Sequence, residues 1–393
     1  RSSSSVTLEL SMWSFALWGE DLIATIHNFK TYVWDASNGV NNRAVEISAS
    51  EITKSRFTGV SFPDRHAIAF GTYNTSTSTQ DPMLVRWSDQ EDYTDWTAST
   101  SNTAGSQRLQ LGTKIMSAVA TREETFIGTD EAAYGMQFVG LPFVFSFRLL
   151  GTGCGPISQR AMVNEGGVVY WMGKNNFFIF DGQVKELASP IQYHVFDNLN
   201  QQQQQKVFGA INRKFQEIIW FYVSNSSGDD EPDKYITFNY ETATWTIGSL
   251  ARTAWHDSFG VQLTPYAAGV DGYLYNQETG TDADGAALAA YIESSPIEFD
   301  SKESPDGTHI FMVDRVIPDG TITGSVDLTL ISKKYPSDST STTKGPFTIS
   351  PTTSKVSVRA KGRQMKMKIE NSAIGDNWEL GTYRVDVRPD GLR

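Results

Sequence analysis

Apolar and polar residues alternate along most of this chain, and helical spacing is nearly absent. Leu22, Ala24 and Ile26 alternate, and Tyr32 and Trp34 follow after a turn. His66, Ile68 and Phe70 form a second such run, and Met83, Val85 and Trp87 a third. Val168–Trp171 and Phe177–Phe180 are nearly continuous apolar runs, the pattern of strands covered on both faces. The second run ends at Asp181-Gly182, a hairpin signal. Short helices are expected in two places: Asn198–Lys206, with five consecutive glutamines, and Ala286–Glu293.

The runs recur as a unit of polar turn, strand, turn, aromatic-rich strand and variable loop. Units start near residues 20, 64, 122, 164, 213 and 265. That spacing suits four-stranded propeller blades, each of which needs neighbours to bury its faces. The expectation is an all-β chain with a β-propeller of about six blades over residues 1–295. A β-sandwich with irregular hairpins is the competing architecture. After Ser295 the pattern changes. Pro296–Pro305 is rich in proline and acidic residues, and further strands follow, so residues 296–393 are expected to form a β-sandwich-like module. Within it Val356, Val358 and Ala360 alternate on even positions, whereas Met365, Met367 and Ile369 alternate on odd ones. A one-residue change of parity sends side chains to the other face, so a bulge or bend is expected at Gly362-Arg363.

Composition then narrows the classes. The 393 residues are 39% apolar and 12% aromatic, too rich for a disordered chain. One cysteine cannot make an intramolecular disulfide or a multi-thiolate zinc site. No apolar run is long enough to span a bilayer as a helix. The sequence starts at Arg1 without a charged-then-apolar leader, and a preceding piece is expected. The formal net charge of −12 does not favour gripping phosphate. The charge is uneven, because residues 355–393 hold nine Lys or Arg against five Asp or Glu.

Chemistry-bearing motifs are sparse. Gly151-Thr152-Gly153-Cys154-Gly155-Pro156 has the wrong spacing for a dinucleotide turn and reads as a tight connection. The five histidines show no ligand spacing. Asp282-Ala283-Asp284-Gly285 would place Tyr291 where a calcium loop needs a bidentate Glu, so a hairpin tip is expected there. Cys154 has no nearby His or Lys and reads as inert. No catalytic residue, cofactor or metal site is assigned. Two acidic loops stand out, Asp89, Glu91, Asp92 and Asp95, then Asp229, Asp230, Glu231 and Asp233. Arg359, Lys361, Arg363, Lys366 and Lys368 alternate with apolar residues, as on the wet face of an edge strand, or as a docking patch for an acidic partner.

Three stretches resemble a known family. They are Val85-Arg86-Trp87-Ser88-Asp89 through Asp95-Trp96; Gly151–Ser158 with Val169–Gly173 and Phe178–Gly182; and Gly362–Met365 with Trp378–Gly381 and Arg388–Gly391. Together they are similar to the tail nozzle (tail tubular, packaged-DNA stabilisation) proteins of short-tailed bacteriophages. The resemblance implies a non-enzymatic structural protein of the virion tail, a homohexameric ring below the head-to-tail adaptor. Such a ring continues the DNA channel and helps retain and then eject the genome. The implied partners are further copies of the chain, the adaptor, tail fibres or spikes, and genomic DNA passing without specific binding, with no membrane segment. On this reading the acidic loops are candidates for the lumen and the basic C-terminal residues for docking. A glycan-binding or glycan-degrading propeller is the alternative.

Overall fold

In the computed structural model, which describes residues 10–258, 260, 263–298 and 309–391, antiparallel sheets follow one another along the chain. Sheet I comprises Trp13–Trp18, Asp21–Ile26, Thr31–Trp34 and Val45–Glu46. Sheet II comprises Phe57–Val60, Ala67–Phe70, Leu84–Trp87 and Gly105–Arg108. Sheet III comprises Ile115–Ala120, Thr125–Thr129, Ala132–Gly140 and Val144–Thr152. Sheet IV comprises Met162–Glu165, Val168–Met172, Phe177–Phe180 and Val184–Leu187. Sheet V comprises Phe208–Asn212, Glu217–Tyr222, Lys234–Asn239 and Thr244–Ser249. Sheet VI has three strands, Arg252–His256, Tyr266–Gly269 and Leu274–Asn276. The first strand of each sheet lies against the first strand of the next.

Period-two alternation explains how one sheet serves two neighbours. In sheet III, Ile127, Tyr134 and Met136 join a core with sheet II, whereas Phe126 and Ala133 join a core with sheet IV. In sheet IV, Val169 and Trp171 face sheet III, and Tyr170 and Met172 face sheet V. In sheet V, Ile218, Trp220 and Tyr222 face sheet IV, and Ile219 and Phe221 face sheet VI. Trp18, Ile23 and Val33 of sheet I close on Ala67 and Ala69 of sheet II. Burial on both faces is why these strands read as continuous apolar runs.

Polar contacts pin the first strands to one another. Thr25 Oγ1 and Thr58 Oγ1 are 2.8 Å apart, linking sheets I and II. The buried Arg56 donates from Nε to Ile115 O at 2.9 Å, linking sheets II and III. Gly71 has φ of +58°, and a Cβ there would fall 2.5 Å from Arg56 Cδ, so a glycine is needed for this arginine to pass. Ser117 Oγ donates to Gln159 O at 2.7 Å, and Gly209 N to Arg160 O at 2.7 Å. The series also turns back on itself. His27 Nδ1 lies 3.1 Å from Gln159 Oε1, 132 residues away, and Leu10 N donates to Gln205 Oε1 at 3.2 Å.

The repeating unit read from the sequence starts one strand late. Each unit captures the second and third strands of a sheet and assigns the first to a variable loop. The glutamine run forms a 3-10 turn, Gln201–Lys206, capped by Asn200, and the α-helix lies just before it at Gln192–Asn198. Ala286–Glu293 is not helical. Ala286–Ala287 closes a hairpin with Asp282–Ala283 whose tip is Asp284-Gly285, and Ala290–Glu293 is a strand. That strand pairs with Gln364–Asn371, so the division between the two compact units falls at Glu278/Thr279 rather than at 295/296. Most of Pro296–Pro305 lies outside the described residues.

In the second unit, one sheet runs in the order Ala290–Glu293, Gln364–Asn371, Val326–Lys333, Thr342–Ile349. Another runs Val356–Gly362, Phe311–Ile317, Arg384–Pro389. Both contribute to a single core of Phe311, Val313, Val316, Leu328, Leu330, Val358, Ala360, Met365 and Ile369. The chain bends at Arg363 and passes from the second sheet into the first. The parity change is therefore the change of sheet: even positions face the core before the bend and odd ones after it.

Trp171 tests the inter-sheet core. It is fully buried between sheets III and IV, and its indole N–H donates to Cys154 O at 2.7 Å. Trp171→Ala is expected to cost about 3–5 kcal/mol in chemical denaturation; a loss within about 1 kcal/mol would contradict the packing described.

Candidate functional site

The first acidic loop is a folded element. It occupies the connection from Leu84–Trp87 to Gly105–Arg108 in sheet II. Asp89 Oδ1 accepts from Thr103 N and Oγ1 at 2.7 and 2.6 Å, which holds its carboxyl below the usual range. Asp92 accepts from Thr94 N at 2.7 Å, and Asp95 from Thr97 N and Asn102 Nδ2 at 3.1 and 2.8 Å. Glu91 pairs with Arg65 at 3.0 Å. Trp96 is buried in the core between sheets I and II, so the loop is anchored from beneath.

The second acidic loop joins Glu217–Tyr222 to Lys234–Asn239 in sheet V. Lys206 Nζ donates to Asp230 O at 2.7 Å and Glu231 Oε1 at 2.5 Å, and Asp233 accepts from Ser224 N and Oγ at 2.8 and 2.7 Å. Asp229 accepts from Glu231 N and Ser227 Oγ, which lowers its carboxyl. The two loops belong to different sheets, with sheets III and IV between them in chain order, and each is tied chiefly to its own sheet and adjoining segments.

The basic residues are divided rather than gathered. Arg359 and Lys361 project from an edge strand, away from its buried Val358 and Ala360. Lys366 and Lys368 project from an interior strand of the other sheet, away from its buried Met365 and Ile369. The two sheets meet through their apolar faces, so these pairs point to opposite sides, and no single docking stripe runs through Arg359–Lys368. Most are also engaged: Lys361 with Asp390 at 2.5 Å, Lys366 with Glu293 at 2.8 Å, Lys368 with Glu370 at 2.6 Å, and Arg363 over the Tyr335 ring at 5.2 Å.

Two features went unread in the sequence. The first is the outer face of sheet I. Trp13, Phe15 and Leu17 alternate along its first strand and are 50, 62 and 71% exposed, with the Trp13 and Phe15 rings stacked at 6.1 Å. Tyr266 and Leu274 of sheet VI are also exposed. Among the described residues no hydrophobic cluster joins sheets I and VI. The alternation of Trp13, Phe15 and Leu17 was the available signal. The second is a polar clasp across sheets IV, V and VI. Arg213 pairs with Glu165 at 2.7 Å and Asp257 at 2.8 Å. Beside it Asn212 Nδ2 donates to Glu278 Oε1 at 2.9 Å, with Glu217 opposite Asn212 in the ladder. Burial, and the neighbouring Glu278 charge, push the Glu217 carboxyl up to about 7.

Cys154 is 1% exposed, and burial pushes its thiol up to about 11, so it stays protonated at neutral pH. Among the described residues no group of three or more His, Cys, Asp or Glu side chains is arranged to hold a metal ion. No helix among them is long and apolar enough to cross a membrane.

No family model matches the chain, and no curated protein matches it. Among solved structures it is similar to Sqt1 of Saccharomyces cerevisiae, with 8% identity and a TM-score of 0.42 over 74% of this chain and 90% of that one. It is also similar to a chain of the S. cerevisiae dbp5 complex with nup159 and gle1, with 8% identity and a TM-score of 0.42 over 91% and 88%. The computationally designed Ika8 protein matches with 11% identity and a TM-score of 0.39 over 66% and 68%. The architecture rests on this chain's own sheets.

The raised Glu217 carboxyl has a consequence for stability. Folding favours its protonated form, so that contribution is complete below the ordinary carboxylate range and is lost as pH rises through about 7. Glu217→Gln is expected to raise the melting temperature at pH 8 and to change it little at pH 4. Equal shifts at both pH values would contradict the assignment.

Proposed function

We propose that this chain is a structural component of a short-tailed phage tail, a nozzle subunit that assembles into a hexameric ring continuing the DNA channel. In this reading sheets I–VI are the blades of a propeller, and the second unit is a sandwich-like docking module. The propeller is supported by the first-strand contacts and by the return of His27 and Leu10 to Gln159 and Gln205. The observation that carries the assembly is the uncovered face of sheet I. The faces between successive sheets are closed by hydrophobic cores, whereas Trp13, Phe15 and Leu17 present an apolar surface to water. Contiguous exposed apolar surface marks an interaction site. A further copy of the chain is its proposed occupant.

The resemblance motifs support the same reading by what they do here. Trp96 anchors the 89–95 loop, Cys154 O accepts from Trp171, and Gly155 passes so close to Asp130 that a Cβ would fall 2.4 Å from its carbonyl. The first two motifs each fix a joint between sheets. A conduit needs that rigidity and a wall that does not hold DNA. Duplex DNA carries about one charge per 1.7 Å. A chain of net charge −12 repels it within a Debye length of about 10 Å at 0.1 M salt. The acidic loops are proposed to add to that wall, and the adaptor and tail fibres or spikes are the proposed partners in the virion. The protein acts without catalysis in this account.

Mass photometry of the full chain tests the assembly. Wild type is expected as a hexamer, and Phe15→Asp with Leu17→Asp as a folded monomer. A wild-type monomer at micromolar concentration would contradict the proposal.

A further inference from the structure

Val33, Trp34, residues 35–48 and the tip of the first acidic loop line an open cleft of about 420 Å³ at the outer edge of sheet I. That volume is within the usual range for small-ligand sites, about 300–1,000 Å³. Its walls include the half-buried aromatic rings of Trp34 and Tyr93, and around them stand Asp35, Asn42, Arg43 and Glu46. We propose that this cleft binds an uncharged hexose unit of a polysaccharide. The cleft adjoins the outer face of sheet I, since Trp34 stands opposite Leu22 and Leu22 opposite Leu17.

The choice of ligand follows from the groups present. An indole and a phenol offer flat apolar surface to the C–H face of a pyranose ring. Carboxylates, an amide and a guanidinium around them both donate to and accept from hydroxyls. The polar walls are pre-set by their own contacts. Asp35 accepts from Ser37 N and Oγ at 2.8 and 2.6 Å and caps the 3-10 turn Ala36–Asn38, which also keeps its carboxyl ionised. Trp34 Nε1 donates to Asn42 O at 3.1 Å, fixing the indole against the connection. Glu46 is held by Lys30 at 2.6 Å. Side chains already ordered lose little entropy when a ligand arrives.

Charge excludes the competing ligands. Asp21, Asp35 and Asp92 all act on the Tyr93 phenol, so the surroundings are acidic and oppose phosphates and acidic sugars. Arg43 is the cation among the lining residues and has no ion-pair partner among the described residues. Arg43 and Lys30 stand against Asp21, Asp35, Glu46 and Asp92, which leaves the surroundings of the cleft net negative. Among the described residues no group of three or more ligating side chains gathers there to hold a metal ion.

Saturation-transfer NMR on the full chain tests this, with the methyl glycosides of glucose, galactose, mannose and N-acetylglucosamine, and glucuronate as the acidic probe. At least one neutral glycoside is expected to bind with a millimolar Kd, weakened about tenfold or more by Trp34→Ala and by Asn42→Ala. Circular dichroism checks that each variant is folded. If Trp34→Ala fails to fold, the exposed Asn42→Ala and Glu46→Gln variants carry the test. Absence of transfer from every neutral glycoside, tighter binding of glucuronate, or an unchanged Kd in the folded variants would overturn the proposal.

Discussion

Sheets II to V of the first unit are stable because both their faces are covered, and the cover is the neighbouring sheet. Four strands with two apolar faces cannot stand alone in water. Phe126 and Ile127 illustrate the constraint, since adjacent residues in one strand serve two different cores. Everything else follows from it: the first strands must sit side by side, the connections must be tight where backbones cross, and buried polar groups must find partners across the joints. Arg56 donating to Ile115 O and Trp171 donating to Cys154 O are two such partnerships.

The same constraint makes the ends of the series informative. A sheet with one neighbour keeps one face in water. Sheet I meets sheet II through Trp18, Ile23 and Val33 and leaves Trp13, Phe15 and Leu17 exposed. In the proposed ring that face is where one subunit continues into the next, by the rule that joins sheets within the chain.

The second and third strands of the four-stranded sheets were legible because they sit in the middle of the sheet and carry the strongest alternation or the longest apolar runs. First strands were missed where residues are small or polar. Phe208–Asn212 contains Gly209 and Asn212, and Met162–Glu165 ends in Asn164 and Glu165. Their burial comes from neighbouring sheets, which a local pattern does not register. Ala286–Glu293 was misread because its alanines suit a helix, while pairing with Gln364–Asn371 decides its conformation. The parity change at Gly362-Arg363 was readable because a change of sheet must appear as a change of parity. The division of the basic residues between two faces followed from that same change, yet it needed the sheet order to be seen. The acidic loops were found as charge, but their ordering by hydrogen bonds depends on partners distant in sequence, such as Thr103 and Ser224. The Trp34 cleft draws on two separate segments, so no single motif announces it.

Electron cryo-microscopy of the purified full chain tests the central claim most directly. The account predicts a closed six-fold ring in which Trp13, Phe15 and Leu17 of sheet I are buried against the adjacent subunit. A monomer, or a ring in which that face remains open to solvent, would contradict it.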